Sequence, residues 1–293
     1  MPSTGTGSPV LWDLLRLRRA SAYGAGPSLD RVLDVCRRLA GYGIASAIGY
    51  SARPGESARA VADVHLAAFD RLAAEGLDCY VSVKLPSLEF DASLFAELTA
   101  AARQSGRRLH VDAMRPGTAD PTLMLLEKAA RLGPLGATLP GRWRRSLEDG
   151  ARAIELGLTL RIVKGHWADD LGGSVDPTKG FLEVVDRVCG YEGGVAVATH
   201  NARLLRESLR RLTTSGTPCE AELLLGMPFR GPAIAAREFG VPVRVYVPYG
   251  DAWPGYGVRD LLGHPKTAWW LVQDLLMGQE KTWWIIRRSR AKQ

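Results

Sequence analysis

The stretch VRVYVPYGDAWPGYGVRD, residues 243–260, begins as a strand and ends as a helical turn. Val243, Val245 and Val247 make a β-branched run that stops at Pro248-Tyr249-Gly250. Tyr256, Arg259 and Asp260 follow on what reads as a turn of helix. Tyrosines and an arginine are thus expected where a strand ends. An arginine fork suits a carboxylate, and tyrosines suit the flank of a small ring.

Upstream, the same kind of short apolar run recurs at 43–50, 79–84, 109–114, 135–140, 158–165, 195–200 and 221–227. Amphipathic stretches separate the runs, among them 57–75, 144–156, 201–214 and 229–239. Strands that alternate with helices pair in parallel through crossovers. Eight such units predict an α/β chain closed into a (β/α)8 barrel. The rival, an open doubly wound sheet, normally carries a glycine-rich phosphate turn after an early strand. No GxGxxG or P-loop pattern follows any run here.

Residues 10–41 read as one or two leading helices, the second starting at Pro27-Ser28. After 250 come a short helix near Tyr256–Leu262, then Pro265 and a longer helix with Trp269, Trp270, Leu271 and Leu275. We therefore expect a flexible N-terminus over 1–9, a single barrel domain over 10–280, and a basic tryptophan-bearing tail over 281–293. A barrel domain of about 250 residues is ordinary.

Hydrophobic residues make up 46% of the 293 and charged residues 24%, as in a soluble globular protein. The first residues form no signal peptide, and no apolar run approaches the roughly 18 residues that span a membrane. A cytoplasmic location is expected. The scattered Cys36, Cys79, Cys189 and Cys219 form no CxxC pair, so reduced core thiols are expected. The net charge of +7 comes from abundant arginine, as at Arg203, Arg206, Arg210 and Arg211. No nucleic-acid motif accompanies it. The tail places Trp283, Trp284, Ile285 and Ile286 before a basic end, which suits either an anionic membrane surface or packing on the barrel wall.

Barrel active sites lie at the C-terminal ends of strands. Polar residues expected there are Lys84, Asp112, Arg161, Lys164, Thr199, His200, Asn201, Glu222 and Tyr246. This cation-rich set suits a ligand with phosphates or a carboxylate. Gly165 permits close backbone approach to such a ligand. His200 either touches a ligand or holds its turn while Asn201 caps the next helix. His110 and Asp112 share a strand face, which raises metal binding, yet His65, His166 and His264 extend no HxH or HExxH pattern, and no metal is expected.

Taken together, VSVKL around Lys84, HVDA around Asp112, LRIVKG at 160–165, VATHN at 197–201, ELLLGM at 222–227, and VRVYVPYG with Tyr256-x-x-Arg259 resemble the catalytic barrel of proline dehydrogenases. The matches run in order over roughly residues 40–280. The resemblance implies a distorted (β/α)8 barrel that holds non-covalent FAD at its mouth. It implies hydride transfer from the ring carbon beside nitrogen to flavin N5, which gives a cyclic imine, with a quinone or another acceptor reoxidising the flavin. Carried across, Arg161, Val163, Lys164, Gly165, His166, Thr199, His200 and Asn201 look like flavin contacts, as does Lys179 in the loop after strand five. Lys84 and Arg259 look like carboxylate anchors. Asp112, Tyr246 and Tyr256 look like ring-pocket residues, and Leu224 like an apolar wall.

The chain also departs from the family pattern. His166-Trp167 stands where Ala-Tyr is usual, Met114 replaces an acidic residue, Pro140-Gly141-Arg142 replaces a Gln-Ala-Tyr run, and Asp260 replaces the second arginine of a pair. A carboxylate for a guanidinium changes local charge by two units and opposes a substrate carboxylate. Either Asp260 turns aside to pair with a cation, or the substrate is a modified relative of proline. Two further readings stay open: a catalytically impaired flavin-binding or partner barrel, and a metal-dependent hydrolase using His110, Asp112 and His200. Peripheral membrane association through the tail would accompany a quinone acceptor.

Overall fold

A computed structural model describes residues 26–169 and 175–251. Eight parallel strands close in sequence order: β1 Ala45–Ser51, β2 Cys79–Val83, β3 Leu109–Val111, β4 Leu135–Pro140, β5 Thr159–Val163, β6 Val195–Ala198, β7 Cys219–Leu224 and β8 Val243–Gly250. Closure comes from β1 beside β8, with Ala47 opposite Tyr246 and Gly49 opposite Pro248. Each expected run overlaps one of these strands, with β1 extending one residue past its run and β7 beginning two residues before its run. β3 is shorter than the run 109–114, because pairing with β4 stops at Val111 opposite Ala137. Asp112 therefore follows the strand rather than lying on it, and its N–H still donates to Val83 O at 2.9 Å.

The described helices are α1 Leu29–Gly41, α2 Ala58–Glu75, α3 Ala92–Gln104, α4 Ala119–Ala129, α5 Ser146–Glu155, α6 Pro177–Arg187, α7 Ala202–Thr214 and α8 Arg230–Glu238. Helix α1 starts after Ser28, as the Pro27-Ser28 signal predicts, and packs against β1 and β8. Polar caps set several starts. Ser57 accepts from Ala60 N, Asp91 from Ser93 N and Leu94 N, and Asp176 from Thr178 N and Lys179 N. The earlier leading helix, the helices after 250 and the tail lie outside the described residues.

Hydrocarbon fills the layer between strands and helices, where Phe69, Phe95, Phe181, Leu33 and Leu72 are wholly buried. The cysteines are free, with Cys36 and Cys79 buried. Among the helix arginines, Arg206 pairs with Glu238, Arg210 with Glu207, and Arg211 with Asp186 and Glu207. Paired surface charge of this kind adds little stability. No described helix is long and apolar enough to cross a membrane.

Inside the barrel the packing is different. Alternation along parallel strands puts Tyr80 and Ser82, His110, Thr138, Arg161, Glu220 and Glu222, and Arg244 and Tyr246 on the inward face. Their bulk is accommodated by small residues on β1 and β6: Ala45, Ala47, Gly49, Ala196 and Ala198. A Cβ on Gly49 would lie 1.8 Å from Tyr246 Oη, so only glycine leaves room for that phenol.

Candidate active site

The inward side chains form two charged layers with the Tyr80 ring between them. In the lower layer Arg244 Nε lies 2.9 Å and Arg108 Nη2 3.7 Å from Glu220 Oε1. The Arg108 guanidinium sits 3.9 Å over the Tyr80 ring, with Arg244 at 5.0 Å and Arg161 at 5.6 Å. These contacts are cation–π pairs in a desolvated place, where they count most.

The upper layer centres on Asp112, just past the end of β3. Its Oδ1 accepts from Ser82 Oγ at 2.7 Å and from Arg161 Nη1. Its Oδ2 accepts from Tyr246 Oη at 3.1 Å and lies 3.8 Å from Lys84 Nζ. Lys84 also donates to Tyr50 O at 2.8 Å. Arg161 is 4% exposed and is held from three sides. Besides Asp112, its Nη2 donates to Tyr80 Oη at 2.7 Å, and its Nε stands 2.8 Å from Glu222 Oε1, an ion pair whose N–H is not aligned for a hydrogen bond. Tyr80 donates in turn to Glu222 Oε2.

Electrostatics follow from this packing. Burial works against charge on Asp112, but the Arg161 and Lys84 cations and the Ser82 hydroxyl outweigh it and hold the group below the usual carboxylate range. Burial pushes Lys84 down, Asp112 opposes that shift, and Arg161 adds to it. Burial and the Asp112 charge raise the Tyr246 phenol well above its usual value, so it stays a hydrogen-bond donor at any ordinary pH. The hub holds two cations, Lys84 and Arg161, against two carboxylates, Asp112 and Glu222.

Toward β5 and β6 lie the residues expected to meet a cofactor. Val163 ends β5 on the inward face, opposite Ala198. The loop Lys164 to Trp167 is pinned to the end of β4: Arg142 N donates to Lys164 O at 3.0 Å, Arg142 Nη1 to His166 O at 3.2 Å, and Trp143 Nε1 to Trp167 O at 3.1 Å. Gly165 has φ +90° and lies so close to β4 that a Cβ would come within 2.9 Å of Pro140 Cβ. The His166 and Trp167 rings stack edge-on at 5.0 Å. Arg142 and Trp143 entered the sequence reading only as a departure or not at all, and an Arg-Trp pair directly after a strand is the signal that could have found them.

His200 uses both ring nitrogens on backbone. Nδ1 is 2.9 Å from Pro228 O, and Nε2 accepts from Leu224 N at 2.9 Å. This fixes the neutral tautomer and ties the β6 turn to the end of β7, and burial pushes the ring down to about 4. Any ligand contact from His200 would come from its carbon edge or face. Asn201 caps α7 by accepting from Arg203 N and Leu204 N, and Thr199 Oγ1 accepts from Asn201 N. Leu224, at the end of β7, is partly buried.

Lys179 does not join this group. It lies in the first turn of α6, not in a loop, is 76% exposed, and stands 3.8 Å from Glu183. Asp176 caps the helix and Pro177 opens it two residues before Lys179, so Lys179 lies on α6 and not in the expected loop. Tyr256, Arg259 and Asp260 lie outside the described residues. Among the described residues no three His, Cys, Asp or Glu side chains group as a metal site. His110 Nε2 pairs with Thr138 Oγ1 at 2.9 Å, and Asp112 is taken by cations. Glu222 was expected at a strand end, without a role, and it completes the hub together with Tyr80, which the sequence did not point to.

A closed parallel barrel with charged side chains gathered at its C-terminal strand ends has the build of a (β/α)8 enzyme. No family model matches the chain. It is 25% identical over 266 residues to proline dehydrogenase 1 of Bacillus subtilis subsp. natto, covering 85% of this chain and 88% of that one. It is also 25% identical over 288 residues to proline dehydrogenase of Deinococcus radiodurans, covering 90% and 91%. In fold it resembles proline utilization A of Bdellovibrio bacteriovorus inactivated by N-propargylglycine, with a TM-score of 0.70, 15% identity and 92% of this chain covered. The counterpart from Corynebacterium freiburgense gives a TM-score of 0.63 at 18% identity. The chain spans 34% and 33% of those two longer proteins. Its similarity to proline dehydrogenases thus runs along most of its length at 24–25% identity.

Proposed function

We propose that this protein is an oxidoreductase acting on CH–NH groups, a FAD-dependent enzyme that oxidises proline or a modified, proline-like cyclic amine to the cyclic imine. The observation that carries the reading is the convergence of Lys84 Nζ and Tyr246 Oη on one oxygen of Asp112 at the barrel mouth, in a chain aligned along most of its length with proline dehydrogenases. Lys84 supplies a cation for a carboxylate, and Arg259 is the second anchor by resemblance. Tyr246, kept protonated and locked to Asp112, presents a rigid ring edge to a five-membered ring. Holding the substrate in one pose gathers the reacting atoms, which is the protein's share of such a reaction.

The residues present fit FAD. Arg142 Nε is buried with no partner among the described residues, Lys164 and Gly165 lie beside Arg142 in the loop after β5, and Thr199 adds a hydroxyl after β6. Lys164, Gly165, His166 and Trp167 would hold the cofactor from the loop that Arg142 and Trp143 pin. FAD, when bound, accepts the hydride from the ring carbon beside nitrogen. The substrate nitrogen gives up its proton as the carbon–nitrogen double bond forms, and a quinone or another acceptor carries the electrons away.

Anaerobic mixing with proline and a panel of ring-substituted and N-substituted prolines tests this. Bleaching of the flavin absorbance band is expected with at least one amine, and no bleaching with any of them refutes the reading. A cytoplasmic location with peripheral membrane contact through residues 281–293 belongs to the same proposal. Deleting the chain after Gly278 is expected to weaken binding to anionic liposomes, and unchanged binding assigns Trp283 and Trp284 to packing.

A further inference from the structure

Glu222 is a buried carboxylate, 3% exposed, with no role in the chemistry above. It does not reach the mouth. Its two oxygens meet Arg161 Nε and the Tyr80 hydroxyl, both on the far side of the guanidinium from Asp112. Arg161 has only Asp112 and Glu222 as carboxylate partners among the described residues. Asp112 in turn divides its oxygens, with Oδ1 serving Arg161 and Ser82, and Oδ2 serving Tyr246 and Lys84. If Asp112 alone had to neutralise Arg161, less of its charge would be left for the lysine.

We propose that Glu222 is a positioning residue. By neutralising Arg161 from behind, it lets Asp112 keep one oxygen on Lys84 and Tyr246, and so keeps Lys84 a cation when a substrate carboxylate arrives. The inference rests on the carboxylate-anchoring part of the proposed function.

Among the described residues, the charged and titratable groups around Lys84 are Asp112 after β3, Arg161 from β5, Tyr246 from β8 and the buried His65 from α2, with Glu222 from β7 behind Arg161. His65 is neutral above about pH 4, and the Tyr246 phenol is raised by burial. Lys84, already lowered by burial, is the group in this set that loses charge on the alkaline side. Replacing Glu222 with glutamine keeps the shape and removes one negative charge. Arg161 then repels the lysine proton more strongly. One unit charge roughly 10 Å away, in a medium of effective dielectric about 20, moves such a group by about one pH unit.

The test is calorimetric binding of cyclopentanecarboxylate to the whole chain between pH 7 and 10. The probe is anionic throughout and has no amine, so its alkaline limb reports the protein. For Glu222→Gln the limb is expected to fall by about one pH unit, with affinity at pH 7 within about twofold of the parent. A limb within about 0.2 units of the parent, or equal weakening at every pH, overturns the proposal. If Glu222→Gln does not fold, Glu222→Asp decides. It keeps the negative charge behind Arg161, so the alkaline limb should stay within about 0.2 units of the parent, and a limb that falls by about one unit, or equal weakening at every pH, overturns the proposal. Failure of the parent chain to bind at any pH overturns the carboxylate site itself, and this inference with it.

Discussion

At the scale of single residues, Gly49 shows how a small side chain positions a large one. Its missing Cβ leaves the space occupied by the Tyr246 hydroxyl, which reaches Asp112 only through that gap. Gly49→Ala should push the phenol aside and destabilise the protein by about 1–3 kcal/mol, as overpacking does. Urea unfolding gives the size of the loss, and flavin reduction should slow in parallel because Tyr246 has moved. An alanine variant with parent stability would show that the ring relaxes freely. From sequence, His110 and Asp112 could be given one strand face, and Lys84, Asp112 and Tyr246 could be placed at strand ends. That Tyr80, Glu222 and Arg161 meet was not legible, because alternation fixes a side chain's face but not its partner across the lumen, which depends on how the barrel closes.

At the scale of elements, the strands were legible because each is a short β-branched or apolar run bounded by helix-forming stretches. Helix starts were legible at Pro27-Ser28 and at Asn201, and the Asn201 side chain caps its helix. The loops after β4 and β5 were not, because their order comes from Arg142 and Trp143 binding carbonyls in another loop, and no local pattern encodes that. A second close approach holds the same region. Gly180 in α6 packs on Gly141 after β4, and a Cβ on Gly180 would lie 1.9 Å from Gly141 O. The obstacle is backbone, which yields little. Gly180→Ala is expected to lower the melting temperature by several degrees, in line with about 2 kcal/mol, and to lower the flavin content of the purified protein. Both quantities can be read from one preparation by a thermal melt and an absorbance ratio. A variant with an unchanged melt and full flavin would show that α6 is free to shift.

At the scale of the whole molecule, buried neutral histidines set the response to acid. His65 and His200 are each pushed by burial to about 4 in the folded chain, against about 6.5 unfolded. Between those values the unfolded chain binds more protons, so stability is full above about pH 6.5 and falls as pH drops toward 4. Asp112, held below the usual carboxylate range, adds stability that is present above about pH 4 and is lost as pH falls through its folded value. The urea midpoint should therefore decline from about pH 6.5 down to 4 through the two histidines, with Asp112 carrying the decline on below 4, and a flat profile between pH 6.5 and 4 would contradict the burial of these rings. The charged lumen also bears on how the barrel comes apart. Lys84 on the β2 side answers to Asp112 after β3, Arg161 on β5 to both Asp112 and Glu222 on β7, and Arg244 on β8 to Glu220 on β7. A seam opened beside β2, β3, β5, β7 or β8 leaves an ion without its counter-charge in a hydrocarbon shell, at a cost of several kcal/mol. Half-barrels are thereby poor resting states, and the charges along the axis make the closed ring a single cooperative unit that opens as a whole.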